Sequence, residues 1–205
     1  RYSTTGESDQ KNVGPLLFNL GDIEVSIAHN GNLVKQEKIR DDLRKDGAIF
    51  QTTTDTEYII HLLAKQKGDT IPKRLSKVLN LINGAFSLLI ITPDSLIIAR
   101  DRYGIRPLCI GKLDNTYIFA SETCALDLLG ATYVRDVKPG ELIVVNNNGM
   151  SSNQIIKAQT PKHCIFEYIY FSRPDSRIFN QNVDKVRRNL GKTLAKESPV
   201  KTADI

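Results

Sequence analysis

The spacing of apolar residues along the chain changes from strand-like to helical and then back again. Residues 22–29 (DIEVSIAH) alternate polar and apolar, which predicts a strand that ends in a turn at Asn30 and Gly31. Apolar residues then recur at helical spacing, the signal of an amphipathic helix. This part of the pattern predicts three helices, over residues 34–44, 54–63 and 70–82.

Two of these helices are preceded by recognisable N-terminal signals. Thr54 and Glu57 have the spacing of a capping box, in which each side chain accepts a hydrogen bond from the other residue's backbone N–H. Thr70 is a preferred N-cap residue, and Pro72 suits the first helical turn, where its missing N–H costs nothing. We therefore expect a helix to begin just after each signal.

Short apolar runs replace the helical pattern from residue 85 onwards. The runs at 85–92 and 95–100 are joined by Pro93-Asp94, which predicts a hairpin. Further strands are predicted at 108–111, 116–121, 141–146 and 165–171, with helices at 122–129 and 183–196 and a turn at 173–176. Helices followed by antiparallel hairpins favour an α+β fold over a βαβ nucleotide-binding fold.

Composition and charge narrow the function classes. The 205 residues are 40% hydrophobic and 25% charged, as in an ordinary globular protein, and the apolar runs are too short for a transmembrane helix. The net charge of +5 comes from residues 154–205, with 10 basic and 5 acidic residues, whereas residues 1–153 hold 18 of each. This distribution indicates the solvated face of a helix over 185–196 and argues against nucleic acid as a partner.

Cysteine and histidine are too scattered to form a recognisable metal motif. Cys109, Cys124 and Cys164 include no C-x-x-C pair, and the three histidines are far apart in the sequence. Three isolated thiols are typical of a reducing cytosol. The only methionine is Met150 and the chain begins at Arg1, so we expect an interior segment of a longer polypeptide.

Three short clusters in the first third of the chain carry the candidate chemistry. Arg1 could bind an α-carboxylate through two charge-assisted hydrogen bonds, and Asp55 could hold an α-ammonium. The Asn30 amide and the Gly31 N–H are suitable oxyanion donors. Each residue also has a structural interpretation: Arg1 as a surface charge, Asn30-Gly31 as a turn dipeptide, and Asp55 as a helix N-terminal acid. Together, the clusters describe a receptor for an α-amino acid.

The sequences of these clusters and of later segments resemble those of the class II glutamine amidotransferases, which are N-terminal nucleophile hydrolases. RYSTTG and AHNGNL are typical of the whole class. GIRPL, ASETCAL and FEYIYFSRPDS narrow the resemblance to its amidophosphoribosyltransferase family. The matching segments are residues 1–6, 28–33, 48–57, 84–90, 100–111, 120–127, 134–141 and 164–176. The resemblance implies a four-layer αββα sandwich of antiparallel sheets, incomplete at its N-terminus.

The resemblance also implies roles for individual residues. Arg1 would bind the glutamine α-carboxylate with Thr4 nearby, and Asp55 would bind the amino group. Asn30 and Gly31 would form the oxyanion hole. The family's nucleophile is an N-terminal cysteine whose own α-amino group serves as the base, and it lies upstream of Arg1. We therefore expect this chain alone to be inactive.

The family resemblance further implies a second domain and its cofactors. Residues 1–160 would form the amidotransferase domain, and residues 161–205 would begin a phosphoribosyltransferase domain whose magnesium-dependent phosphoribosyl pyrophosphate site lies beyond Ile205. Cys164 aligns with the first ligand of the [4Fe–4S] cluster that some members bind. A structural thiol is the alternative interpretation of Cys164.

The implied reaction is glutamine hydrolysis with transfer of ammonia to phosphoribosyl pyrophosphate, giving 5-phosphoribosylamine for purine biosynthesis. The expected partners are glutamine, phosphoribosyl pyrophosphate and further copies in a homo-oligomer, without nucleic acid or membrane. The expected location is the cytoplasm, or a plastid if the source is a plant. The alternatives are another class II amidotransferase, forming glucosamine 6-phosphate or asparagine, and a non-catalytic basic interaction module.

Overall fold

The computed structural model describes residues 6–200, which form two compact units. Unit 1 contains residues up to 106 and residues 137–162, and unit 2 contains residues 107–136 and the chain from 163 onwards. Arg1 and Thr4, two of the residues predicted to bind glutamine, lie outside the described residues. The domain boundary predicted after residue 160 stays a prediction.

Unit 1 is built on a six-stranded antiparallel sheet with the order β1-β2-β3-β4-β8-β9. Strands adjacent in the sheet are mostly adjacent in sequence, as expected for hairpin connections. The strands are β1 (Leu16–Leu20), β2 (Ile23–Leu33), β3 (Gly84–Ile91), β4 (Ser95–Arg100), β8 (Glu141–Asn146) and β9 (Gly149–Gln154).

Three helices of unit 1 connect β2 to β3, namely α1 (Gln36–Lys45), α2 (Thr56–Lys65) and α3 (Ile71–Leu81). The apolar faces of α2 and α3 pack on one face of the sheet, where Ile59, Leu75 and Ile90 are fully buried. The Thr70 side chain accepts a hydrogen bond from the Lys73 N–H, so the predicted cap of α3 is confirmed. This core supports the strand end that carries the candidate site.

Unit 2 combines a three-stranded antiparallel sheet, in the order β6-β5-β7, with two helices and a two-stranded ribbon. Its elements are β5 (Cys109–Leu113), β6 (Thr116–Ala120), α4 (Thr123–Leu129), β7 (Thr132–Asp136), β10 (Arg177–Ile178), β11 (Gln181–Asn182) and α5 (Val183–Glu197). The Glu122 carboxylate accepts hydrogen bonds from the Arg173 N–H and the Ser176 hydroxyl, both at 2.7 Å. These bonds join the two sequence segments of unit 2. Helices combined with antiparallel sheets confirm the predicted α+β class.

Two local predictions around the candidate site are wrong. The strand β2 does not turn at Asn30 and Gly31: it continues to Leu33, with Asn30 opposite Ser87 and Gly31 opposite Phe86 in β3. The capping box of Thr54 and Glu57 does not form, because Asp55 is the N-cap of α2 and makes no side-chain capping bond. The Glu57 carboxylate binds other backbone groups instead.

Other segments also differ from the sequence pattern. The aromatic-rich run predicted as a strand at 165–171 contains a π-helical turn, Glu167–Phe171. Strands β1, β7 and β9 were not predicted, and β9 is almost entirely polar, as an exposed edge strand can be. Within residues 6–200, no helix is both long and apolar enough to cross a membrane.

Candidate active site

The end of β2 holds the two predicted oxyanion donors inside a continuous ladder. Asn30 and Gly31 lie beside β3, opposite Ser87 and Phe86. Successive side chains of a strand point to opposite faces. His29 is accordingly buried towards α2, while the Asn30 side chain points to the other face, where its Oδ1 accepts a hydrogen bond from Arg106 Nε at 3.0 Å. The Asn30 amide is therefore held in a defined orientation.

Gly31 occupies a position that has no room for a side chain. Its φ is +155°, and a Cβ atom built there would lie 2.0 Å from the Ala85 carbonyl oxygen and 2.8 Å from His29 Nε2. Both distances are below any real Cβ contact. Glycine is thus required because the β3 backbone approaches closely, and this requirement is independent of any function.

Asp55 is buried at the N-terminus of α2 and is bound to the same stretch of β2. Its side chain is 1% exposed, and Oδ2 accepts a hydrogen bond from the Leu33 N–H at 2.7 Å. Oδ1 lies 3.5 Å from Nδ1 of His29, whose ring also lies 3.2 Å from the Thr56 hydroxyl. The structure therefore brings Asp55 to the end of β2, while its role in binding an ammonium group stays a prediction.

Glu57 organises the loop that precedes Asp55. Its buried carboxylate accepts hydrogen bonds from the Gln51 N–H at 2.8 Å and from both the N–H and the hydroxyl of Thr52 at 2.7 Å. Hydrogen bonds to a carboxylate are stronger than neutral ones. Because Glu57 lies in the first turn of α2 and Asp55 is its N-cap, this network fixes the loop relative to the helix N-terminus.

We expect Glu57→Ala to lower the free energy of unfolding by about 2–4 kcal/mol, because the buried N–H and hydroxyl of Thr52 and the partly buried Gln51 N–H would lose their acceptor. Denaturant titration followed by circular dichroism measures the change. The control is Glu37→Ala in the exposed first turn of α1, for which we expect a change within about 0.5 kcal/mol. Equal effects of the two substitutions would contradict a role for the Glu57 network.

The loop from Arg100 to Arg106 is anchored by two buried charges. The Asp101 carboxylate, 1% exposed, accepts hydrogen bonds from the Phe86, Tyr103 and Ile105 N–H groups at 3.3, 2.9 and 3.1 Å. Burial raises the pKa of the Asp101 carboxyl, and these amide hydrogen bonds oppose that shift. The Arg100 guanidinium donates to the carbonyls of Arg106 and Gly104, both at 3.0 Å.

Three residues of this site received no role from the sequence, namely His29, Asp101 and Arg106, and Glu57 was predicted only as a capping residue. Arg106 lies 76 residues from its partner Asn30, so no local pattern connects them. The only available signal was the segment RDRYGIRPLCIG at 100–111, which the sequence singles out without assigning a function to any side chain. The sequence motifs therefore located the end of β2, but they did not identify the side chains that hold the site residues in place.

The three cysteines differ in their accessibility. Cys109 and Cys124 are buried in unit 2, and burial raises the pKa of the Cys109 thiol to about 12, while Cys164 is partly exposed. A protonated, buried thiol is a poor nucleophile. Within residues 6–200, no group of three or more His, Cys, Asp or Glu side chains is arranged to hold a metal ion.

We expect a thiol reagent such as iodoacetamide to label Cys164 at least about tenfold faster than Cys109 or Cys124 in the folded protein. Of the three cysteines, Cys164 is the one that is partly exposed to the reagent. Peptide mass spectrometry at timed intervals measures the three rates. Labelling in urea is the control, since unfolding should bring the rates together. Fast labelling of Cys109 under native conditions would contradict its burial.

Comparison with known proteins places this site in a family. Residues 7–128 match the model of the glutamine amidotransferase domain, and this range includes the whole of β2, Asp55 and the loop from Arg100 to Arg106. The chain belongs to the glutamine amidotransferase domain family. The predicted N-terminal nucleophile hydrolase type of fold agrees with this membership.

Named relatives and solved structures are more specific. The chain is 46% identical over 98% of its length to an amidophosphoribosyltransferase of Staphylococcus aureus, and 44% identical over its full length to that of Bacillus subtilis. It spans 41% and 43% of the length of these two relatives. The solved B. subtilis glutamine phosphoribosylpyrophosphate amidotransferase, in complex with ADP and GMP, superposes with a TM-score of 0.91 over 98% of this chain and 44% of its own, at 44% identity.

Proposed function

We propose that this chain forms the glutamine-hydrolysing part of an enzyme that passes ammonia to phosphoribosyl pyrophosphate, giving 5-phosphoribosylamine. One observation carries the proposal. The predicted oxyanion donors, Asn30 and Gly31, lie near the end of β2. The predicted ammonium acceptor, Asp55, is bound to the same strand end, because its carboxylate accepts a hydrogen bond from the Leu33 N–H at 2.7 Å. The similarity to amidophosphoribosyltransferases supports the choice of acceptor substrate.

In the proposed reaction, a nucleophile attacks the glutamine side-chain carbonyl carbon and forms a tetrahedral oxyanion. Donors that are oriented in advance stabilise such an oxyanion, because they need not reorganise as charge develops. The C–N bond then breaks as the leaving nitrogen takes the proton that the nucleophile gave up and departs as ammonia, and water hydrolyses the acyl intermediate to glutamate and the free nucleophile. The Asn30 amide and the Gly31 N–H are the proposed donors, and Asp55 orients the α-ammonium. Arg1 and Thr4 are proposed to bind the α-carboxylate.

The nucleophile is proposed to be an N-terminal cysteine thiolate, as the family resemblance implies. The buried thiols of Cys109 and Cys124 do not suit this role, since a nucleophilic cysteine needs access and a lowered pKa. A free α-amino group at the same residue can accept the thiol proton.

The part of the chain that the structure describes contains no complete set of ligands for either implied metal cofactor. A [4Fe–4S] cluster needs four cysteine ligands, and Cys164 is one candidate thiol without two suitable neighbouring ligands among residues 6–200. Magnesium prefers carboxylates and phosphate oxygens, and no acidic cluster of this kind occurs in the same range. No step of the proposed reaction is assigned to either group.

The experiment uses the full-length product of the gene that encodes this chain. Glutamate release from glutamine is measured with phosphoribosyl pyrophosphate, with fructose 6-phosphate, or with aspartate and ATP as the second substrate. We expect pyrophosphate and glutamate to form together only in the first case. Turnover with either of the other substrates would contradict the proposal and support another class II amidotransferase.

The basic interaction module stays the second candidate, because α5 exposes several basic side chains, including Lys185, Arg188 and Lys192. Nucleic-acid binding through such side chains would weaken steeply with salt. We expect no binding to duplex DNA or single-stranded RNA even at about 50 mM salt, a concentration at which phosphate contacts are still strong. Salt-sensitive binding at micromolar protein would favour this alternative.

Location and assembly are part of the proposal. We propose a cytoplasmic or plastid location and a homo-oligomer. A plant relative with 45% identity over 98% of this chain is named as chloroplastic, which supports the second location if the source is a plant. Fractionation of cells that express the tagged protein, and light scattering of the purified protein, test the two points.

A further inference from the structure

We propose that Arg106 is a positioning residue that fixes the direction of the Asn30 amide, so that its N–H₂ group, and not its oxygen, is directed at the oxyanion. This inference rests on the proposed function. It assigns to the loop from Arg100 to Arg106 a specific task in glutamine hydrolysis.

The hydrogen-bonding groups of asparagine and arginine allow the two side chains to pair in only one orientation of the amide. A carboxamide carries an acceptor oxygen and a donor nitrogen, and rotation by a half turn exchanges them. The arginine side chain has only donors. Arg106 Nε lies 3.0 Å from the Asn30 side chain, so the atom facing it must be the amide oxygen. The Nδ2 donors then point away from Arg106, and the proposal places the oxyanion on that side of the amide.

Arg106 is itself held through its backbone. Its backbone carbonyl accepts hydrogen bonds from Arg100 Nε at 3.0 Å and from the Ser87 hydroxyl at 3.4 Å. Ser87 is the cross-strand partner of Asn30 in the β2–β3 ladder. The loop backbone is therefore tied to the residue directly opposite the side chain that Arg106 orients.

The same loop is tied to the partner of Gly31. The Asp101 N–H donates to the Phe86 carbonyl at 2.9 Å, and the Asp101 carboxylate accepts from the Phe86 N–H at 3.3 Å. Phe86 is opposite Gly31. Both residues of the proposed oxyanion hole thus face β3 residues that the loop binds. Such support is what a preorganised donor pair needs, since a displacement of about 1 Å can cost a factor of 10² in rate.

The test compares variants of the full-length gene product in two reactions. The first is glutamine hydrolysis, and the second is phosphoribosylamine formation from added ammonia, which bypasses the oxyanion hole. We expect Arg106→Met to lower kcat for glutamine by about 10- to 100-fold with KM changed by less than about twofold, because the loss falls on the transition state. The reaction with ammonia should keep its rate.

Two further variants separate positioning from folding. Arg106→Lys retains a cationic donor and should recover part of the lost kcat. Arg102→Met removes the same charge from the same loop and should leave both reactions unchanged. If Arg106→Met does not fold, the comparison of Arg106→Lys with the unmodified enzyme still decides the outcome, because a lysine without the planar fork should lower kcat for glutamine alone.

A double mutant tests whether Arg106 acts through Asn30. Groups that act as one unit are strongly non-additive. We therefore expect Asn30→Ala combined with Arg106→Met to be no slower than Asn30→Ala alone. Multiplied losses, or an equal fall in the reaction with ammonia, would overturn the inference. Absence of glutamine hydrolysis by the unmodified enzyme would instead overturn the proposed function.

Discussion

Replacing Asn30 by alanine should lower kcat for glutamine hydrolysis by about 10²–10³, or about 2.7–4 kcal/mol, as the loss of one oxyanion donor does elsewhere. The KM for glutamine should change little, because the amide is proposed to act on the tetrahedral oxyanion more than on bound substrate. Steady-state glutamate release by the full-length gene product measures both constants. The Asn30 backbone stays paired with β3 in the variant, so loss of the side-chain amide should not open the strand end.

Asn32→Ala is the matched control for this prediction. Asn32 is on the same strand, and its exposed side chain accepts a hydrogen bond from Gln36 at 3.0 Å. We expect Asn32→Ala to keep kcat within about threefold, since it removes an asparagine amide without removing the proposed donor. Similar losses in the two variants would mean that the strand end, and not the Asn30 amide, is being damaged.

Replacing Gly31 by alanine should strongly destabilise unit 1. A Cβ at this position would lie 2.0 Å from the Ala85 carbonyl oxygen, and both atoms belong to paired strands that cannot separate without breaking the ladder. We expect the free energy of unfolding to fall by about 3 kcal/mol or more, at or above the upper end of the usual cost of overpacking, because the strands cannot move apart. Denaturant titration measures this loss.

Gly149→Ala separates steric overlap from backbone strain. Gly149 also has a positive φ, +104°, but a Cβ there meets no described atom within 4 Å. Its substitution should cost only about 1–2 kcal/mol, the conformational penalty of a side chain in this region. If both variants lost the same stability, the close approach of β3 would not be the reason for glycine at position 31.

Much of the fold could be predicted from local patterns. The hairpin of β3 and β4 and the cap of α3 at Thr70 follow from turn residues and apolar spacing, and both are confirmed. Strand β9 could not be found in the same way, because GMSSNQ offers neither apolar alternation nor β-branched residues. An edge strand of this kind is defined by its neighbour and not by its own sequence.

At the candidate site, two local sequence signals do not form the structures that they predict. Asn-Gly is the strongest hairpin signal in short sequences, yet here β2 passes through it because β3 supplies pairing partners on one side. Thr54 and Glu57 have capping-box spacing, but Glu57 binds the Thr52 N–H and hydroxyl instead. A long-range strand pairing replaces the local turn at Asn30-Gly31, and a single sequence carries no record of that pairing. At Glu57 the competing bond is itself local, because Thr52 lies five residues earlier and is bound in place of the Thr54 N–H.

The discontinuous course of the chain through its two units has a practical consequence for dissecting the protein. Unit 1 is interrupted by residues 107–136, which group with the chain after residue 163. A single protease cut near residue 160 would leave the two units covalently connected at 106–107 and at 136–137. A fragment ending at that cut would also leave Glu122 without the Arg173 N–H and the Ser176 hydroxyl. Shortened versions for crystallisation or assay should therefore retain residues 163–183 or remove 107–136 together with them.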